Sequence, residues 1–265
     1  MMCFKDKYAV VTGAASGMGR CYALELAEKG YGVLIVDINN EAAQTLSLQI
    51  AQQFNVPAPV LCVDLTQANA AEQIMNLCKE NCWQVEILIN NAGMLITSTI
   101  EETAPEKLRS IVALHCSTPL LLCRYFIPLM KESGGGYILN VSSYSAWMDW
   151  PIIGTYGCTK RFVKDYSRVL RLECCDSPIS ITTAIFGAVD TPLSNVPPVS
   201  YFRKTLLRFG VMISPEKASR LALKAMFKRK STFIPTITDC LTICFCRFVP
   251  TFLLRILVRK YRGKF

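Results

Sequence analysis

Three side chains in the middle of the sequence have the types and the spacing needed to move a proton to and from a substrate oxygen. Tyr156 and Lys160 lie four residues apart, so a helix would place both on one face. An ammonium beside a phenol favours the phenolate, as does the positively charged ring of a bound ligand, and we expect the two together to lower the pKa of Tyr156 from its usual value of about 10. The hydroxyl of Ser143, thirteen residues before the tyrosine, could position the same oxygen. The trio predicts general acid–base catalysis, although Tyr-x-x-x-Lys by itself also arises as a plain helix-surface pair.

A cluster of glycines near the N-terminus fits the binding of a pyrophosphate. The apolar run 8–11 leads into Thr12, and glycines follow at Gly13, Gly17 and Gly19. Gly13 permits a tight turn, while the other two let the backbone approach a ligand and let the next helix pack closely. Free N–H groups at the start of that helix would then face the phosphates. The spacing predicts a dinucleotide site, with an ordinary glycine-rich β–α loop as the alternative.

An acidic residue after the second apolar run bears on which dinucleotide is bound. Asp37 lies eighteen residues beyond Gly19, where a carboxylate can accept hydrogen bonds from both hydroxyls of the adenosine ribose. The same charge repels a 2′-phosphate, so we expect NAD(H) to be preferred over NADP(H). Arg20 tempers this preference because a nearby guanidinium tolerates phosphate, and NADP(H) stays compatible with the sequence.

These features occur in the same order as in the short-chain dehydrogenase/reductase family, which the chain resembles over most of its length. The shared motifs are Thr12-Gly13-x-x-x-Gly17-x-Gly19, Asn90-Asn91-Ala92-Gly93, Ser143 and Tyr156-x-x-x-Lys160. The resemblance implies an oxidoreductase that moves a hydride between a nicotinamide cofactor and a secondary alcohol or ketone, and it points most closely to the hydroxysteroid-dehydrogenase-like branch. In that family the tyrosine is the general acid and base, the serine orients the substrate oxygen, and the lysine also holds the nicotinamide ribose.

The resemblance also implies a set of cofactor contacts. Asp64 and Leu65 would contact the adenine, the Asn-Asn-Ala-Gly segment would line the cofactor site, and Val189 and Thr191 would contact the nicotinamide. The expected cofactor-binding residues are Gly13, Ser16, Gly17, Met18, Gly19, Asp37, Asp64, Leu65, Asn90, Ala92, Gly93, Tyr156, Lys160, Val189 and Thr191. No metal is expected, because the sequence holds one histidine and no CxxC pair.

Three positions depart from the family pattern. The catalytic asparagine that the family places in its fourth helix, thirteen residues before a Pro-x-Met string, is His115 here, counted back from Pro128. We expect His115 either to replace that asparagine as a proton-relaying catalytic group, with a titration near neutral pH, or to be a packing histidine. Phe186 replaces the proline of the usual Pro-Gly pair, and Pro119 should kink or break the long fourth helix.

Apolar runs alternate with helical patterns along most of the chain, and this alternation defines the elements that position the site. The predicted strands are 7–11, 32–37, 59–64, 85–90, 137–142, 179–185 and 232–234. The predicted helices are 18–30, 40–54, 68–82, 105–131, 155–173 and 215–228. Strands followed by helices in this way predict an α/β fold with a doubly wound parallel sheet, the Rossmann fold, in a single domain spanning 1–240.

The segment 192–213 occupies the position of the family's substrate lid. It is rich in Val, Leu, Phe and Tyr, and Trp147, Met148 and Trp150 are expected on the same side of the site. Such a lining suits a lipophilic substrate, such as a steroid, a bile acid or an acyl chain, unless the aromatic side chains pack only among themselves. Reduction of a 3-oxoacyl thioester is the alternative reaction, because basic lid residues could meet the phosphates of a carrier. A non-catalytic nucleotide-binding partner is the alternative class.

The C-terminal segment 241–265 is predicted to form a separate basic tail. The net charge is +9, and residues 200–265 hold 15 of the 29 lysines and arginines but two of the 20 acidic residues. Arg255, Arg259 and Arg262 fall on one face of an otherwise apolar helix, which suits contact with an anionic membrane or an oligomer interface. Packing of the tail against its own domain is the alternative. Because the excess of positive charge is confined to residues 200–265, it argues against general nucleic-acid binding.

The cysteines and the N-terminus bear on location. The thirteen cysteines form no recognisable disulfide framework, and free thiols in this number indicate a reducing compartment. No apolar stretch of signal-peptide length precedes the first motif. We therefore expect a cytoplasmic protein, with the tail as a peripheral contact to a membrane. The family resemblance implies a homodimer or homotetramer.

Overall fold

Seven parallel strands form the main sheet of the computed structural model, which describes residues 7–150, 153–191 and 212–261. In spatial order they are β3 (Val60–Cys62), β2 (Gly32–Asp37), β1 (Lys7–Thr12), β4 (Gln84–Asn90), β5 (Gly136–Ser143), β6 (Ile179–Phe186) and β9 (Thr232–Phe233). A separate short pair joins β7 (Ala188–Val189) to β8 (Met212–Ile213). This arrangement confirms the predicted doubly wound, Rossmann-type sheet in a single domain.

Helices cover both faces of the sheet. They are α1 (Gly17–Glu28), α2 (Asn40–Phe54), α3 (Ala70–Glu80), α4 (Pro105–Val112), α5 (Thr118–Glu132), α6 (Gly154–Glu173), α7 (Pro215–Phe227), α8 (Ile237–Arg247) and α9 (Thr251–Tyr261). Helices α1, α2 and α7 pack on one face around Leu26 and Met226, and α3, α5 and α6 pack on the other around Ile74 and Phe126. Because both faces of the strands are buried, the strands are continuous apolar runs in the sequence.

The order in which successive strands are added to the sheet reverses at the boundary between β1 and β4. The first three strands extend the sheet to one side, and β4 then pairs with the other edge of β1, with Val11 opposite Ile89. In an open parallel sheet, ligands bind in the crevice at the carboxyl ends of the strands beside such a reversal. Thr12 and Asn90 end β1 and β4 at this crevice.

The predicted fourth helix is interrupted, as expected from Pro119. A π-helical turn, Ala113–Ser117, separates α4 from α5. Pro119 has no N–H to donate to the carbonyl of His115 four residues back, and the widened turn is closed by the Thr118 N–H, which donates to the Ala113 carbonyl. The consequence is that His115 lies inside an irregular turn.

The predicted boundaries differ most at β3, which is three residues long instead of six. Within the described residues this strand lies at the sheet edge and pairs only with β2, and Asp64 beyond it folds into a turn with Thr66. Most of the expected lid, 192–211, lies outside the described residues, as do 1–6, 151–152 and 262–265. The division at residue 240 stays a prediction, and α8 runs through that position.

The stretch Pro105–Glu132 has the length and apolar composition of a membrane span, the single such case in the described part of the chain. It is broken by the π-helical turn, and Leu122, Phe126 and Met130 on it are fully buried against the sheet. Its apolar character is therefore accounted for by the core.

Candidate active site

The glycine cluster forms a tight turn between β1 and α1 that leaves no room for a side chain at Gly13 or Gly19. Gly13 has a φ of +63°, and its N–H donates to the Val36 carbonyl at 2.8 Å. A Cβ on Gly19 would collide with the Gly13 carbonyl oxygen, so α1 starts directly against the turn. The first N–H groups of α1 are thereby held at the carboxyl end of β1, which is the geometry that binds a pyrophosphate. These residues fit the expected dinucleotide.

Four further expected cofactor contacts surround this turn. Ser16 is the exposed N-cap residue of α1, and its side chain makes no capping bond there. Met18 packs, half-buried, against the core on the α1 side of the sheet. The Thr191 methyl carbon lies 3.2 Å from where a Cβ on Gly17 would be, and Val189 precedes it in β7. The structure therefore brings the two ends of the expected cofactor site together.

The Asp37 carboxylate lies against the glycine turn. One oxygen accepts a hydrogen bond from the Ala15 N–H at 2.8 Å, and the other accepts one from the Asn39 N–H at 3.0 Å. A negative charge is therefore fixed where the adenosine ribose of a dinucleotide on this turn would lie. The Arg20 guanidinium donates to the Gln49 side chain at 2.6 Å, which tethers it to α2.

Asp64 and Leu65 lie beyond β3 at the same edge of the sheet. The Asp64 carboxylate accepts hydrogen bonds from the N–H and the hydroxyl of Thr66, at 2.9 and 2.8 Å, and these bonds lower its pKa below the usual value. The Leu65 side chain is buried, and its carbonyl accepts the Thr118 hydroxyl at 2.6 Å. The segment is thus fixed between β3 and the start of α5.

The Asn-Asn-Ala-Gly segment ties β4 to β1. The Thr12 hydroxyl accepts the N–H groups of Asn91 and Ala92 at 3.0 and 3.1 Å, and the Asn91 side chain donates back to the Thr12 carbonyl at 3.0 Å. The Asn90 side chain donates to Asn140 in β5 at 2.8 Å. These bonds hold three central strands in register at the crevice.

Tyr156, Lys160 and Ser143 meet at the carboxyl end of β5. The Lys160 ammonium lies 5.7 Å from the centroid of the Tyr156 ring and donates to the Val141 carbonyl at 3.1 Å. The Ser143 hydroxyl is close enough to the Tyr156 phenol to lower its pKa. A Cβ on Gly93 would lie 3.6 Å from the Lys160 nitrogen, so the Asn-Asn-Ala-Gly segment closes the site on that side. The three groups predicted to handle the proton are therefore adjacent.

Within the chain itself the pKa of Tyr156 is raised and not lowered, and its lowering by a bound nicotinamide stays a prediction. Burial raises the pKa of this phenol to about 12, and the hydrogen bond from Ser143, which lowers the pKa, offsets only part of the rise. Burial also lowers the pKa of Lys160 to about 8. Both shifts have one cause, because removing the charged form of a group from water costs free energy. At neutral pH Tyr156 is therefore a phenol that can donate its proton.

The surroundings of His115 disfavour the expected titration near neutral pH, and its role as a proton relay stays a prediction. Its Nε2 accepts the Met94 N–H at 3.0 Å, so the hydrogen is on Nδ1, which donates to the Thr159 hydroxyl at 2.8 Å. Burial, reinforced by the Lys160 charge, holds the pKa of His115 well below its usual value. The ring packs edge-on to Tyr156, with centroids 5.7 Å apart. Its contacts are those of a positioning residue.

Thr159 and Asn140 are parts of the site that the sequence interpretation missed. The Thr159 hydroxyl accepts from His115 and donates to the Tyr156 carbonyl at 2.9 Å, which joins the π-helical turn to α6. Asn140 accepts from Asn90 and donates to the Ser167 hydroxyl at 2.8 Å. The signal for Asn140 was a polar residue inside an apolar strand, since a buried amide needs hydrogen-bonding partners. For Thr159 the signal was only its place beside Lys160.

Trp147 packs along α6, and its expected place in the substrate lining stays a prediction. The Lys164 ammonium lies 4.7 Å from the centroid of the Trp147 indole ring, which is a cation–π contact. Through this contact the ring packs against a side chain of α6. There Trp147 lines a groove of about 840 Å³ whose walls include Arg161 and Arg168 but not Tyr156. Met148 is half-buried, and Trp150 is exposed.

Comparison with known proteins matches most of the chain to one family. The family described as short chain dehydrogenase matches residues 7–197. An uncharacterized oxidoreductase of Thermotoga maritima is 32% identical over 190 residues, which are 72% of this chain and 74% of that protein. A very-long-chain 3-oxoacyl-CoA reductase of Eremothecium gossypii is 28% identical over 230 residues, which are 80% of this chain and 65% of the reductase.

Solved structures share the fold. A 7beta-hydroxysteroid dehydrogenase superposes with a TM-score of 0.82 at 21% identity and covers 90% of both chains. A short-chain dehydrogenase from Sphingobium yanoikuyae in complex with NADPH has a TM-score of 0.77 at 22% identity, over 93% of this chain and 97% of that one. At these identities the likeness establishes the architecture.

Proposed function

The chain belongs to the short chain dehydrogenase family and is an NAD(P)-dependent oxidoreductase acting on alcohol or ketone groups, and from that premise we propose its residue roles, its cofactor preference and its substrate class. Tyr156 exchanges a proton with the oxygen of a secondary alcohol or ketone on a lipophilic substrate. The observation that carries this proposal is the position of Tyr156, with Ser143 beside its phenol and the Lys160 ammonium 5.7 Å from its ring centroid.

Each member of the trio has a task that its geometry supports. A bound nicotinamide supplies or accepts the hydride. Tyr156, a phenol at neutral pH, donates its proton to a carbonyl oxygen in reduction and takes a proton back in oxidation. Lys160 stabilises the phenolate formed on Tyr156 and holds the nicotinamide ribose, and its pKa of about 8 keeps most of its charge at pH 7. Ser143 orients the substrate oxygen.

The preferred cofactor in this proposal is NAD(H). Asp37 holds a negative charge beside the glycine turn, and a 2′-phosphate placed there would be repelled. The Arg20 guanidinium, which could meet such a phosphate, is hydrogen-bonded to Gln49. NADP(H) stays compatible because Arg20 is exposed and its single hydrogen bond to Gln49 can be exchanged. The remaining proposed contacts are Ser16, Met18, Asp64, Leu65, Asn90, Ala92, Val189 and Thr191.

The proposed substrate is a steroid or a bile-acid-like molecule. The apolar composition of the lid segment 192–213 supports a flat, lipophilic substrate. A second candidate is a 3-oxoacyl thioester, because the Eremothecium gossypii reductase of such thioesters aligns with 80% of this chain. Both candidates present a ketone or alcohol on an apolar body, and they differ in whether a phosphate-bearing carrier is attached.

The test is the absorbance change of the reduced nicotinamide across a panel of hydroxysteroids, bile acids and 3-oxoacyl thioesters, with NAD(H) and NADP(H) in parallel. Turnover of a steroid or bile acid with NAD(H) is the expected result. Turnover of thioesters alone with NADP(H) would replace both the substrate class and the cofactor preference. Cofactor binding without turnover of any compound would favour a non-catalytic nucleotide-binding protein.

The assembly and location proposed with this function are a cytoplasmic homodimer or homotetramer with a peripheral membrane contact. Exposed apolar side chains on α5 and α6 support a subunit interface there, namely Leu120, Phe162 and Val169. The membrane contact is developed below from the structure of the C-terminal helices.

A further inference from the structure

Helix α8 exposes a row of large apolar residues. Asp239 and Ile243, four residues apart, are buried against the domain. On the opposite side Ile237, Leu241 and Phe245 are 80%, 63% and 74% exposed. A helix on the surface of a protein in water normally shows the reverse pattern. The outward face of α8 is therefore built to meet something other than water.

Helix α9 follows α8 in the chain and exposes both apolar and charged residues. Phe252 and Ile256 lie on one face, 61% and 57% exposed. Arg255 and Arg259, also exposed, lie on the adjoining face. Phe248, between the two helices, is 78% exposed. An apolar stripe bordered by arginines is the pattern of a helix that lies in the plane of a membrane surface.

The charge of the segment selects among possible partners. Residues 237–265 contain six lysines and arginines and one acidic residue, Asp239. That single carboxylate is buried, so it does not neutralise the outer surface. Two copies of this surface would repel each other, whereas an anionic phospholipid surface would attract it.

We propose that the outer faces of α8 and α9 form a docking surface for an anionic phospholipid bilayer. The docking surface consists of Leu241, Phe245, Phe248, Phe252, Ile256 and the flanking Arg255 and Arg259. The apolar side chains enter the boundary between headgroups and acyl chains, and the arginines remain at the level of the phosphates.

The docking surface is attached to the part of the molecule that holds the proposed reaction site. Helix α8 packs against the turn Tyr144–Trp147, which directly follows Ser143. On its buried side, the Asp239 carboxylate fills the space where a Cβ on Gly187 would lie, just before β7. Docking therefore turns the Ser143 side of the site toward the bilayer, where a lipophilic substrate is dissolved. This orientation rests on the proposed function, whereas the docking does not.

The docking is tested by flotation of the purified full chain with vesicles of phosphatidylcholine alone and of phosphatidylcholine with 30% phosphatidylglycerol. We expect flotation with the anionic vesicles and its loss at high salt. Arg255→Gln with Arg259→Gln should weaken the partition about 30-fold, since each basic residue at an anionic surface contributes about fivefold. Phe245→Glu with Phe252→Glu should abolish flotation. Leu48→Glu, which places the same charge on the exposed Leu48 of α2, should leave it unchanged.

Two results would overturn the docking. One is absence of flotation with anionic vesicles at low salt. The other is an oligomer, seen by sedimentation without lipid, that dissociates in the double variant Phe245→Glu with Phe252→Glu. That result would assign the surface to a second copy of the chain. Circular dichroism of each variant separates loss of binding from loss of folding, and the arginine variants, at exposed positions, provide a second test should the glutamates misfold.

The orientation is tested by energy transfer from tryptophan to a dansyl-labelled lipid. Trp83 precedes β4 at the amino end of the sheet, and Trp147 and Trp150 follow Ser143 at the carboxyl end. Trp83→Phe should retain most of the transfer, and Trp147→Phe with Trp150→Phe should lose most of it. Equal transfer from both ends would refute the orientation. Flotation in a protein that turns over no substrate would refute the proposed function and leave the docking intact.

Discussion

At the residue scale, burial sets the protonation of the groups around Tyr156. It raises the pKa of the phenol and lowers that of Lys160, so at neutral pH the pair is a neutral phenol beside an ammonium. This is the state that can donate a proton to a carbonyl oxygen. The cost of holding a charged lysine out of water is reduced by its hydrogen bond to Val141.

His115 has a pH dependence that its position predicts. Its folded-state pKa lies well below the unfolded value of about 6.5, so the unfolded chain binds the extra proton and stability falls as pH drops below 6.5. The limiting slope is about 1.4 kcal/mol per pH unit for one group. We expect chemical denaturation at pH 7 and pH 5 to show this loss in the wild type, and a smaller loss in His115→Asn.

The matching activity profile separates positioning from proton relay. His115→Asn retains a hydrogen-bonding side chain, so kcat/KM should keep the wild-type pH profile between pH 6 and 8. A neutral-pH inflection present in the wild type and missing from the variant would restore His115 as a titrating relay.

Asp37 should control the cofactor preference. The substitution Asp37→Asn keeps the shape of the side chain and a hydrogen-bond acceptor but removes the charge beside the glycine turn. The ratio of kcat/KM for NADP(H) to kcat/KM for NAD(H) should therefore rise about tenfold, which corresponds to about 1.4 kcal/mol. Steady-state kinetics with both cofactors measures the ratio. Glu41→Gln, a nearby exposed acid at the start of α2, serves as the control and should leave it unchanged. An unaltered ratio in Asp37→Asn would remove Asp37 from the specificity argument.

Residue types and order were enough to identify the trio, because Tyr156, Lys160 and Ser143 need only a helix and a strand end to meet. The sequence did not predict the pKa of Tyr156, since the degree of burial depends on packing from distant segments. Nor did it predict that both ring nitrogens of His115 are occupied. Those contacts come from Met94 and Thr159, 21 and 44 residues away along the chain.

At the scale of elements, the site is held by two departures from regular structure. The turn after β1 brings the start of α1 against the Gly13 carbonyl, and the π-helical turn before α5 points His115 at α6. Both lie at the carboxyl edge of the sheet. Strands and helices elsewhere position these irregular segments.

Gly19→Ala should disable the cofactor site. Its methyl group would collide with the Gly13 carbonyl oxygen, forcing α1 away from the turn at a cost of about 1–3 kcal/mol. Calorimetric titration with NADH should show binding weakened by at least about tenfold. Gly154→Ala is the matched control, since a Cβ at Gly154 meets nothing within 4 Å. Wild-type cofactor affinity in Gly19→Ala would contradict the close approach.

Strands and helices were predictable because their hydrophobic periods repeat over many residues. The bounds of α2 and β2 agree with the prediction, and Pro119 gave the helix break. The short β3 was missed because an edge strand ends where pairing ends, and pairing is a property of the neighbouring strand. The outward apolar face of α8 could not be assigned from sequence, since a pattern does not say which face meets the domain.

At the scale of the whole molecule, the described chain has different surfaces for different contacts. The outer sides of α5 and α6 expose isolated apolar residues, and α8 and α9 expose a charged apolar face. The two surfaces belong to different helices, so subunit association and membrane docking can be tested by separate variants.

The subunit interface should lie on α6. Phe162 and Val169 lie seven residues apart on one helix face, 39% and 52% exposed. Phe162→Glu with Val169→Glu should convert the expected homodimer or homotetramer to smaller species in light-scattering chromatography. Leu48→Glu should leave the mass unchanged. A monomeric wild type, or an oligomer that survives both glutamates, would contradict the assignment.

The measurement that tests the central claim most directly is the comparison of wild type with Tyr156→Phe, following reduced nicotinamide by absorbance and cofactor binding by calorimetry. We predict that the variant binds NAD(H) within about twofold of the wild type but loses at least about 10²-fold in kcat, the scale of general acid–base catalysis. Turnover in Tyr156→Phe equal to that of the wild type would show that Tyr156 does not carry the proton, and would refute the proposed mechanism.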